Sequence, residues 1–167
     1  MQKLIKNREI VQDNWVLLKE LDANSDLDAS IEGNVIVPLD YYLSHLDSLK
    51  GRQSKVAVWL DSHQDPKALK DHLDKLELVA INFPAFADGR GYSIARELSA
   101  NLKFEGEIRA IGDVLRDQLF YMRRCGFNAF HMREDQDLEA SLAVFDTFSD
   151  AYQSSVDQPI PLFRRRA

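Results

Sequence analysis

The sequence predicts an α/β domain built from about four parallel strands joined by crossover helices. Three observations predict it. Beyond Lys55, compact apolar runs of strand length recur at 55–60, 78–83, 107–111 and 127–132. Between them lie segments with apolar residues at helical spacing, Leu69, Leu73 and Leu76 in the first and Ile94, Leu98 and Leu102 in the second. Cap residues separate the two kinds of segment, with Asp65-Pro66 opening a helix and Gly126 ending one. This alternating rhythm means parallel strands with right-handed crossovers. A half-barrel-like curled sheet and a small open sheet both fit. Short crossovers favour adjacent strands and lean towards the half-barrel.

The elements follow in order. Residues 1–50 read as a short N-terminal appendage to a single domain over 1–167. Within it, 13–18 is a short strand or an irregular packed segment, 21–32 a polar loop, and 34–39 an extended run ended by Pro38. Asp40 is placed to cap a helix over 41–49, and Gly51 to stop it. The βα core spans 55–132, with helices expected after Asp65, over 93–102 and over 114–124. Residues 133–167 hold a last helix, 138–152, and an irregular tail.

Composition excludes several function classes. The formal net charge of −6 argues against non-specific nucleic-acid binding, which needs a basic face. One cysteine, Cys125, allows neither an intrachain disulfide nor a Cys-based metal cluster, and the four histidines show no metal spacing. The basic start leads into no apolar h-region, and no stretch is long and apolar enough to span a bilayer. The expected compartment is the cytoplasm. No nicotinamide, flavin or iron–sulfur fingerprint is present, so no cofactor is expected.

Parallel α/β folds place their sites at the carboxyl ends of the strands, and here those ends carry the least generic residues. In Asp88-Gly89-Arg90-Gly91, the glycines free the backbone and Arg90 supplies a planar donor fork for an anion beside a helix start. The plainer reading is a tight turn in which Asp88 caps the helix and Arg90 pairs with a neighbouring acid. Gly112-Asp113 ends the next strand, with Asp113 placed as a cap of the following helix or as a partner for Arg90 or Arg109. Arg109 lies within an apolar strand, facing away from Ile108 and Ala110, and needs a partner or a cavity there. Asp117, Gln118 and His131 support this anion-binding candidate, and Cys125 reads as buried and inert.

Three blocks carry a family resemblance. They are Phe83-x-x-Phe86-x-Asp88-Gly89-Arg90-Gly91-Tyr92-Ser93, Gly106-Glu107-x-Arg109-Ala110-x-Gly112-Asp113-Val114-Leu115-x-Asp117-Gln118, and Arg124-x-Gly126-Phe127. Tyr152-Gln153 and the terminal Pro161-Leu162-Phe163-Arg164-Arg165-Arg166 add to them. The chain resembles the bacterial family catalogued as domain of unknown function 934. That resemblance implies a link to assimilatory sulfate reduction. Family members are commonly encoded beside the haemoprotein subunit of sulfite reductase and are often labelled probable oxidoreductases.

Three functions compete at this stage. The first is an accessory factor in sulfite reduction that binds a small anion, with the haemoprotein subunit of sulfite reductase as partner. The second is a small metabolic enzyme acting on an anionic substrate. The third is a non-catalytic interaction module, in which the tail arginines dock a partner or a second copy of the chain.

Overall fold

Side chains alternate between the two faces of a strand, so residues at i and i+2 share a face. In the computed structural model this alternation sorts residues onto the two sides of one eight-stranded sheet. The structure describes residues 2–28, 30–147 and 153–165. Its strands are β1 (Lys3–Lys6), β2 (Glu9–Gln12), β3 (Trp15–Leu17), β4 (Asn34–Pro38), β5 (Val56–Leu60), β6 (Leu78–Phe83), β7 (Glu107–Gly112) and β8 (Ala129–Phe130). The spatial order is β2-β1-β8-β7-β6-β5-β4-β3. Strands β3 to β8 are parallel and sequential, while β1 pairs antiparallel with both β8 and β2.

The architecture is the curled half-barrel, with eight strands in place of about four. The extra strands come from the first 38 residues, which supply both edges of the sheet. The β1–β2 hairpin turns on Asn7 and Arg8, both at positive φ (50° and 68°), as a two-residue turn of this twist requires. Arginine at such a turn is uncommon, which hid the hairpin from a reading based on turn residues. The edge strands β2 and β3 are consecutive in the chain, separated only by Asp13 and Asn14. Three Cα–Cα steps reach at most about 11 Å. The two edges of the sheet therefore converge at this link, and the sheet must curl.

The helix-side face carries the main core, including Val37, Val58, Ile81, Phe83, Ile108, Phe127 and Phe130. The inner face carries a smaller cluster, Ile36, Ala57, Leu78, Ala80 and Ile111, with Trp15, Leu17 and Trp59 packed against it. The helices are α1 (Leu39–Ser44), α2 (Leu46–Lys50), α3 (Arg90–Arg96), α4 (Leu119–Cys125), α5 (Leu138–Leu142) and α6 (Leu162–Arg165).

Several helices differ from expectation. The helix over 41–49 is split at His45, whose φ of −123° lies outside helical geometry, and Asp40 makes no cap bond. After Asp65, which does cap, only single 3₁₀ turns form at Pro66–Leu69 and Leu73–Lys75. His72 at φ −121° breaks the path between them. Helix α3 begins at Arg90 and widens into a π-type turn over Glu97–Asn101. Gly126 ends α4 at φ 117°, the left-handed position that glycine tolerates best. The ladder of β8 covers two residues, although single bonds from Asn128 to Ile108 and from His131 to Ala110 extend it. Of the helix expected over 138–152, residues 148–152 lie outside the described residues, as do Arg166 and Ala167 of the tail.

Candidate functional site

The carboxyl-end rim is assembled from the loops after β5, β6 and β7. Register places Phe83 opposite Gly112, so the β6 and β7 loops leave the sheet side by side. Asp113 joins them. Its N–H donates to the Phe83 carbonyl at 2.8 Å, and its carboxylate accepts the Phe86 N–H at 2.8 Å. Its other oxygen accepts from Arg133 Nη1 at 2.8 Å, and Arg133 also holds Asp135. Asp113 is therefore a brace between loops; it neither caps a helix nor meets Arg90 or Arg109. Gly112 makes the close approach possible. Its φ is +90°, and a Cβ there would lie 2.4 Å from the Phe83 carbonyl oxygen.

Arg90 stands beside this brace. Its Nε and Nη2 donate to the two oxygens of Asp88 at 3.0 and 2.7 Å, and Nη2 also donates to Ser62 Oγ at 2.9 Å. Asp88 accepts the Arg90 N–H as well, at 3.1 Å. The guanidinium thus links the β5 and β6 loops while its side chain remains 62% exposed. Arg90 and then Ser62 hold the Asp88 carboxyl far below the usual carboxylate range. Nη1 has no hydrogen-bond partner among the described residues. Gly89 adopts an ordinary φ of −85°. Gly91 serves packing, since a Cβ there would lie 2.7 Å from the Phe83 ring.

Below the rim, Asp61 accepts from Asn82 Nδ2 at 3.2 Å and from the Ser62 N–H at 2.9 Å. Gln118 is buried and accepts the Leu115 N–H at 2.9 Å, which makes it a brace for the start of α4. Asp117 is exposed on the turn before α4.

Arg109 belongs to a different place. Register aligns Trp59, Ala80, Arg109, Ala129 and Lys6 along one row of the inner face. There Arg109 Nη1 donates to both oxygens of Asp13 at 3.0 Å, and Nε donates to Glu107 at 2.6 Å. Lys6 pairs with the other Glu107 oxygen at 2.7 Å. The Arg109 and Asp13 side chains are 3% and 6% exposed. This chain of charges joins β1, β7 and the β2–β3 link across the interior. His131 lies within its field. Burial pushes its imidazole down from the ordinary value; Asp13 opposes that, while Arg109 and Lys19 add to it.

The residues expected at one anion site therefore divide. Asp88, Gly89, Arg90, Gly91, Gly112 and Asp113 share the rim, whereas Arg109 and His131 belong to the interior. Sequence reasoning missed Ser62, Arg133, Asp13, Lys6 and Glu107. Glu107 was findable, because i and i+2 in a strand share a face. Asp13 was not, because 96 residues separate it from Arg109. Cys125 is buried, and burial pushes its thiol up. Among the described residues no group of three or more His, Cys, Asp or Glu side chains could hold a metal ion. No helix among them is long and apolar enough to cross a membrane.

Fold and rim together define an α/β half-barrel protein with a polar carboxyl-end rim. The chain belongs to the family described as bacterial protein of unknown function (DUF934), whose family model matches residues 57–163. Neither the curated proteins nor the solved structures gave a match.

Proposed function

We propose that the chain is an accessory protein of assimilatory sulfate and sulfite reduction that takes a small oxyanion at the rim, with Arg90 as the contacting cation. The orientation of Arg90 carries this reading. Its guanidinium is fixed at two edges by Asp88 and Ser62, yet most of the side chain remains in solvent. A guanidinium held in this way loses little further freedom when an oxyanion accepts from Nη1. Asp88 already neutralises most of the charge, so recognition rests on directed hydrogen bonds more than on net attraction. The pathway and the partner, the haemoprotein subunit of sulfite reductase, are proposed from what the family resemblance implies.

Two experiments test the reading. Calorimetric titration of sulfite, with sulfate and phosphate alongside, reads the site. Growth of a deletion strain on sulfate, sulfite or cysteine as sole sulfur source reads the pathway. Normal growth on sulfate and sulfite would remove the proposed role.

A further inference from the structure

A cavity lies at the end of the strands opposite the rim, on the helix side of the sheet. It has a volume of about 190 Å3 and opens between α2 and the turn at Leu73–Lys75, beside Val56 at the start of β5. Leu49 and Val56 form part of its apolar wall, and Tyr42, Lys50, His72 and Lys75 contribute polar groups. No carboxylate lines it, although the chain carries a net charge of −6.

These polar groups are not used up by one another. Among the described residues Lys50 is held by the fully exposed Asp47, at 3.1 Å. The Lys75 amine and the Tyr42 hydroxyl have no hydrogen-bond partner among the described residues. His72 meets the Tyr42 ring edge-on, with centroids 5.8 Å apart. Apolar walls with a few polar groups around them are a form that small-molecule sites take, and about 190 Å3 leaves room for a small ligand only. Ammonium groups only donate, and a protonated phenol can donate, so the missing partner must bring acceptors.

We propose that this pocket binds a small organic anion, with a carboxylate or other oxyanion head towards Lys50 and Lys75 and a short apolar end against Leu49 and Val56. Burial, with the nearby Asp74 carboxylate, pushes the Tyr42 phenol up, so it remains a donor at neutral pH. The pocket and the Arg90 rim lie at opposite ends of β5, and the two sites are tested separately.

The experiment is isothermal titration of benzoate, butyrate and phenyl phosphate, with neutral benzamide as the uncharged control. The double variant Lys50→Met/Lys75→Met is titrated in parallel. Both lysines are exposed, so the variant should keep the wild-type Tm. At least one anion is expected to bind saturably and benzamide not at all, with affinity in the variant down about tenfold or more. Sulfite binding at Arg90 should be unchanged in the variant. The proposal is overturned if none of the three anions binds at about 10 mM, or if the variant binds them as well as the wild type does.

Discussion

Arg109 Nη1 lies 3.0 Å from both carboxylate oxygens of Asp13, so a residue in the middle of β7 reaches across the sheet to the two-residue link between its edges. Both groups are almost fully buried, and Glu107 and Lys6 complete the chain of charges. Removing one member of a buried pair strands the other without solvent or partner, which costs about 3–5 kcal/mol. Asp13→Ala and Arg109→Met should each destabilise the fold by that amount in urea denaturation. The double variant should be distinctly less destabilised than the sum of the two. Additive losses would mean that the pair is not coupled.

Lys6 tests the same network at its edge. Its side chain is 42% exposed, so solvent can replace much of what Glu107 loses. Lys6→Met should cost about 1 kcal/mol or less. A loss as large as that of Asp13→Ala would show that the half-exposed Lys6 ties the network as strongly as Asp13 does.

His131 gives the fold a pH dependence of predictable sign. Its folded-state pKa is depressed, chiefly by burial. Below about pH 6.5 the unfolded chain therefore binds more protons than the folded one. Stability contributed by neutral His131 is complete above that pH and is lost as pH falls towards the folded value. His131→Asn should flatten the stability–pH curve in this window. The carboxylates held low, Asp88 and Asp135, act only at more acidic pH. An unchanged slope between about pH 7 and 5.5 would contradict the assignment.

Gly112 and Gly33 share a φ of +90°, but their surroundings differ. A Cβ at Gly33 meets nothing within 4 Å, whereas one at Gly112 meets the Phe83 backbone and Asn82. Gly33→Ala should cost about 1 kcal/mol, from backbone strain alone. Gly112→Ala should cost about 3 kcal/mol or more and displace the rim. Equal losses in thermal unfolding would mean that the close approach at Gly112 is unimportant.

What was legible in the sequence follows from which signals are local. The strands at Val56–Leu60, Leu78–Phe83 and Glu107–Gly112 are short apolar runs with both faces covered, and the pattern locates them within one or two residues. Strand β1 is half polar, and β2 is only partly buried, so neither gives such a run. Their assignment depends on pairing with β8 and on a turn at Asn7-Arg8, both tertiary facts. The rim cluster around Asp88 and Arg90 was visible because its residues are neighbours in sequence. The partners Ser62, Arg133 and Asp13 come from distant segments, and no spacing rule points to them.

The proposed function rests on Arg90 being held ready for an oxyanion by Asp88 and Ser62. Calorimetric titration of sulfite into the wild type and Arg90→Lys tests it most directly, with urea denaturation of both proteins as the control. Lysine keeps the charge but loses the planar fork. Saturable binding to the wild type is expected, weakened about tenfold or more in Arg90→Lys. The Arg90 side chain is 62% exposed, so the two proteins should unfold at nearly the same urea concentration. Equal sulfite binding by the two proteins, or no binding by the wild type, would contradict it.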